Sequence, residues 1–301
     1  NYPVAAGDRV YVDTGTYPMT GALRVVLDSR NMGTATNPLR IYGSTNASAG
    51  GTLLLGDGTG NGIEIKNTSN IELYDLRIAS AGNGVAVQNS SGVALERMEL
   101  FNNATNGALS SGSSVTLRYG RLWGNRQFGY FDAANRGSAI LNSTLWGNRL
   151  GAVWLDKELV LSNSILCVTN AAPIFYENGN AASVAGDYNL YGLASAHLIS
   201  SNIGERVNYA YLSQWQAKGR DAHSMVIDPM FVNPSAGNFH VQSRAGYWSN
   251  NVLAVFANTS WAIDGGDPAS TNYAAEPPPN GGRLNLGAYG GTTNASRSDT
   301  N

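Results

Sequence analysis

Between Gly62 and Glu177 the apolar positions recur about every 22 residues. Gly62, Gly84, Gly107, Gly129 and Gly151 each open a short alternation, read from Ile63/Ile65, Val85/Val87, Leu109, Phe131 and Val153/Leu155. A second apolar run follows in each unit, at 71–73, 93–95, 115–117, 139–141 and 159–161. A third closes it at Leu100-Phe101, Leu122-Trp123 and Leu145-Trp146, each followed by Asn103, Asn125 or Asn148. The residues are β formers, and no segment keeps a period of 3.6 over a helical length. Three short strands per repeat, each too small to bury its apolar strip alone, must stack on the next repeat. The pattern therefore predicts an all-β chain: a right-handed parallel β-helix, or solenoid, of about 22 residues per coil with an irregular C-terminal cap.

The repeat frames a single domain of 301 residues. Residues 1–61 read as N-terminal coils, with strands at Val10/Val12, 23–27, 39–42 and 52–55 and a corner at Gly15-Thr16-Tyr17-Pro18. The regular coils run over 62–191. The spacing breaks over 192–224, an insertion with one short helix around Leu212, Trp215 and Ala217, capped by Ser213. Strands resume at 225–227 and 239–241, and 225–301 forms the last coils and the cap. Asn1 opens the chain without a signal peptide, as in a mature or excised piece of a longer secreted protein.

Composition narrows the partners. Only 13% of residues are charged and the net charge is −2, which gives no electrostatic case for nucleic acid. No apolar run approaches the length of a membrane span. The single Cys167 takes the ring position of the Phe101/Trp123/Trp146 column and reads as a packed thiol. Asn103, Asn125 and Asn148 read as a hydrogen-bonded ladder. His197, His223 and His240 lack metal-ligand spacing.

Stacking the coils turns the pattern into a candidate surface. Residues one coil apart lie about 4.8 Å apart. A constant repeat places Ile65, Val87, Leu109, Phe131, Val153 and Ile174 in the core. Lys66, Gln88, Ser110, Asp132, Trp154 and Phe175 then point outward, flanked by the ladders Glu64–Ala86–Ala108–Tyr130–Ala152 and Thr68–Ser90–Gly112–Ala134–Asp156–Glu177. Small residues would floor a trough, and aromatic and acidic residues would wall it. Sugar rings stack on Trp and Tyr, and hydroxyls bond to acids and amides, so a polysaccharide is the expected partner. Its expected contacts are Lys66, Gln88, Tyr130, Trp154 and Tyr176. A solvated face with incidental aromatics is the competing reading.

Three chemistries fit the acids Asp132, Asp156 and Glu177. The first is glycoside hydrolysis by two carboxyls: Asp156 and Glu177 as stack neighbours roughly 5 Å apart, or Asp132 and Asp156 on the order of 8 Å apart. The second is a Ca²⁺ ion held by Asp156 and Glu177, with Lys157 or Arg136 as base for β-elimination on a uronate. In the third they are plain surface residues.

The segments GDRVYVDTGTY, DYNLYG, GRDAHSMVIDPMFVNPSAGNFHV, AIDGGDP and PNGGRLNLGAYGG resemble those of secreted bacterial right-handed β-helix repeat proteins. The resemblance implies a secreted or surface-exposed fold, related in architecture to pectate lyases and polygalacturonases. It carries no catalytic motif: the Asn-Thr-Asp, Asp-Asp and Gly-His-Gly set is missing. Three expectations follow. The first is a carbohydrate-interacting module, monomeric within a larger multidomain chain. The second is an active polysaccharide lyase or glycoside hydrolase. The third is a structural stalk.

Overall fold

The computed structural model describes residues 4–21, 24–134, 137–170, 174–177, 183–192, 199–201 and 211–299. Three parallel sheets wrap one core. Sheet A runs from Arg9–Tyr11 through Leu39–Tyr42 and its successors to Ser183–Asp187. Sheet B runs from Gly15–Met19 to Met225–Val226, and sheet C from Val25–Leu27 to Ile199–Ser201. Within these sheets each interior strand pairs with the strands one coil before and after it, so the chain is an all-β solenoid with very little helix, whereas the tail strands Phe231–Asn233 and Asn238–Val241, and Tyr247–Ser249 and Val252–Ala254, pair antiparallel outside it.

The corners show why this sequence coils. A single residue in the left-handed region turns sheet A into sheet B: Asp75, Arg97, Tyr119, Asn142, Asn163 and Tyr188, with φ between 47° and 57°. The turn from B to C holds the buried asparagine ladder. Asn125 Nδ2 donates to Asn148 Oδ1 at 2.9 Å and to the Leu100 carbonyl at 3.1 Å. Its Oδ1 accepts from Asn103 N and Nδ2, at 3.1 and 3.0 Å. The glycine opening each coil makes room for this ladder. A Cβ on Gly84, Gly107 or Gly129 would stand 3.0, 3.0 or 2.8 Å from a ladder amide nitrogen.

The core is a continuous stack of Leu, Ile and Val with Tyr130, Phe175 and Tyr191 enclosed. Its C-terminal end is closed by the short helix Leu212–Gln216, whose Trp215 is buried. Asp221 ties that closure together. Its carboxylate accepts from Asn189 Nδ2, Ser224 Oγ, Tyr191 Oη and Trp215 Nε1, all at 2.7–2.9 Å. The helix begins after Tyr211, whose N–H donates to Gln214 Oε1, so Ser213 lies inside it and is not the cap. The expected corner at Gly15–Pro18 is instead a strand, Gly15–Met19. It tolerates Pro18 because it is the edge of sheet B, where a missing N–H deprives no neighbour.

The tail is irregular, as expected, but much of it lies along the flank. Phe231, Phe239, Val241, Ala262, Ile263 and Leu286 pack on Trp123, Ile165, Cys167 and Leu190, covering the outer face of sheet B. Phe101 and Trp123 stack at 4.8 Å, and Trp123 and Trp146 both brace Phe239, at 6.2 and 6.1 Å. Cys167 follows them in the column, buried, with its thiol pushed up to about 12 by desolvation.

Candidate functional site

Sheet C carries the face on which the sequence places its site, and the register there corrects the expected ladders. Six residues carry the chain from Phe101 to Gly107, where five carry it from Ala79 to Gly84. Ala108 therefore pairs with Val85, and Ser110 with Val87. A shift of one residue exchanges the two faces of a strand. The inward columns are Ile63–Val85–Ala108–Tyr130–Val153–Phe175 and Ile65–Val87–Ser110–Asp132–Leu155.

Two expected site residues are thereby removed from the surface. Tyr130 and Asp132 are both 0% exposed and point into the solenoid. Desolvation pushes the Tyr130 phenol far up, and the nearby Asp132 pushes it the same way. Asp132 cannot meet a bound glycan from this position. Asp156 sits just after its strand, where Oδ1 accepts the Ala134 N–H at 2.6 Å. Its carboxylate holds a turn in place and does not face Asp132 across a trough. Glu177 pairs with Leu155, so it is not the stack neighbour of Asp156. The close carboxyl pair and the two-acid calcium site both assumed that neighbour. Among the described residues no group of three or more His, Cys, Asp or Glu converges. Arg136, weighed as a base, lies outside the described residues.

What faces outward is a ridge. Leu109 pairs with Phe131, Phe131 with Trp154, and Trp154 with Tyr176. Leu109, Phe131 and Trp154 are half-buried on this face. The Phe131 and Trp154 rings stack at 4.2 Å and 5°. Face-to-face stacking along the axis leaves ring edges, not faces, toward solvent. Beside the ridge, one pleat further on, runs a lower column: Lys66, Gln88, Ser111 and Ala133. Gln88 is exposed, and Lys66 pairs with Glu64 at 2.9 Å. The face is thus a step, with an aromatic riser and a shelf of small and polar side chains.

Of the expected contacts, Lys66, Gln88 and Trp154 are outward, and Tyr176 is the backbone partner of Trp154 in the next coil. Leu109 and Phe131 were missed. The signal for them was the glycine column, whose step from Gly84 to Gly107 is 23 residues where its neighbours are 22.

Comparison with known proteins agrees with this architecture. Residues 61–191 match the model of the right handed beta helix region. The crystal structure of pectate lyase Pel9A superposes over 95% of this chain and 88% of its own, with a TM-score of 0.54 at 13% identity. That of alginate lyase from Paenibacillus sp. str. FPU-7 covers 66% of this chain and 85% of its own, with a TM-score of 0.47 at 15% identity. No curated protein sequence matches the chain. The fold is a right-handed parallel β-helix of pectate-lyase-like architecture. No helix among the described residues is long and apolar enough to cross a membrane.

Proposed function

We propose that this chain is a carbohydrate-interacting β-helix module, secreted or at the cell surface, that holds a polysaccharide along the outward step of sheet C. The observation that carries the reading is the Leu109–Phe131–Trp154 ridge standing over the Gln88–Ser111–Ala133 shelf. A surface of this kind offers apolar contact at one side of a sugar and hydrogen-bonding groups at the other. It also repeats at about 4.8 Å per rung, so it extends along the solenoid as a linear polymer requires. The likeness in fold to a pectate lyase supports the substrate class.

Binding is favoured over turnover because the acids proposed for catalysis are not assembled. Asp132 is buried and Asp156 is committed to a backbone N–H. The test fills the shelf. Ala133→Trp, on a half-buried outward position, should weaken polysaccharide binding by roughly tenfold or more while the protein stays folded.

A further inference from the structure

We propose a second carbohydrate site, separate from sheet C, in the groove between sheet B and the returning tail. The outward column of sheet B shrinks along the solenoid: Phe101, Trp123 and Trp146, then Cys167, then Gly192. The rings support the tail through Phe239. Beyond Trp146 the column has no ring to fill the space beneath Ile227–Phe231. Gly192 cannot fill it either, because a Cβ there would stand 2.5 Å from Cys167 Sγ. The result is an open groove of about 670 Å³, bounded by Trp146, Ile227, Met230 and Phe231. Small-ligand sites span roughly 300–1,000 Å³.

The amide and carboxyl side chains on its border are few. They are Asp228, Gln242 and Asn258. The Gln242 backbone is fixed on both sides, its N–H donating to Met230 O and its carbonyl accepting from Ser260 N, both at 2.9 Å. Its side-chain amide, and that of Asn258, form no hydrogen bond with the described residues. Asp228 uses one oxygen to accept the Met230 N–H at 2.8 Å and keeps the other. Two free amides and a carboxylate oxygen are what vicinal hydroxyls need, since each hydroxyl both donates and accepts.

The charge selects within that class. No Lys or Arg lines the groove, and Asp228 borders it, so a uronate carboxylate would meet repulsion without a counter-ion. The apolar walls suit a sugar with a methyl or ester group. The geometry therefore points to an uncharged pyranose with an apolar substituent, such as a 6-deoxyhexose or an esterified unit, at a chain end or branch.

The experiment is saturation-transfer NMR with methyl α-L-fucopyranoside and, as the anionic control, methyl α-D-galactopyranosiduronate. Wild type should bind the fucoside and bind the uronate much more weakly. The Gln242→Ala/Asn258→Ala double variant should lose roughly tenfold or more in fucoside affinity at unchanged melting temperature. Asp228→Asn, which keeps the bond from Met230 N, should narrow the preference against the uronate. Ala133→Trp on sheet C should leave fucoside binding unchanged, which keeps this proposal separable from the sheet-face reading. Absence of fucoside binding to wild type, equal binding of the two sugars, or a double variant of wild-type affinity would overturn it.

Discussion

Glu276 sits in the tail at 3% exposure, and its carboxylate offers a sharp test of how that segment is built. Oε1 accepts the N–H groups of Asn285 and Gly291, at 2.8 and 2.7 Å, while buried Oε2 has no partner among the described residues. Burial is the main reason its pKa stands at about 7 instead of 4.5; the charge of Asp264 adds to it, and the two N–H bonds oppose it. A carboxyl whose folded pKa is raised contributes stability that is present below pH 4.5 and lost as pH rises through 7. Integrated from pH 5 to pH 8, the loss is about 2–3 kcal/mol. His240 acts oppositely in part of this window. Burial, then Arg121, lowers its pKa to about 4, so its contribution is present above pH 6.5 and lost as pH falls toward 4. Raw stability against pH would mix the two. The difference between wild type and Glu276→Gln isolates the carboxyl, because the amide keeps the Oε1 acceptor and cannot ionise. Denaturant unfolding at pH 5 and pH 8 should show the variant gaining about 2–3 kcal/mol on wild type over that interval. A difference that stays constant with pH would mean that Glu276 is hydrated, and that the packing described around it is wrong.

Other consequences follow from the solenoid itself. Asn125→Ala strands the Asn103 N–H and the Leu100 carbonyl in the core and should cost about 3 kcal/mol in denaturant unfolding; a loss under about 1 kcal/mol would show that the ladder is not structural. Cys167 should resist a disulfide-exchange reagent at pH 8 in the native protein and react fully in denaturant, since a buried thiol titrating near 12 holds little thiolate. Native-state reaction at the rate of an exposed thiol would contradict its placement behind the tail.

Local rules were legible in the sequence because they repeat. The asparagine ladder and the Phe101–Trp123–Trp146–Cys167 column were both readable, since each coil states the same contact again. The face of a strand was less legible. It depends on a count of residues around a loop, and one extra residue before Gly107 turned Tyr130 and Asp132 inward and Leu109 and Phe131 outward. A constant-period alignment cannot register that insertion, although the glycines did. The course of the tail was not legible at all. Its contacts with sheet B join residues far apart in the chain, such as Arg121 and Tyr289 at 3.0 Å, and no period announces them.

Whether the step on sheet C holds a polysaccharide is tested most directly by an affinity titration of wild type and Ala133→Trp. A panel of soluble pectic, alginate and neutral polysaccharides would be titrated against both, with the melting temperature of each recorded alongside. At least one polymer should bind wild type, and the filled shelf should weaken that binding by roughly tenfold or more with folding intact. A well-folded Ala133→Trp protein that binds the same polymer with wild-type affinity would place the contact away from this face and contradict a polysaccharide site on sheet C.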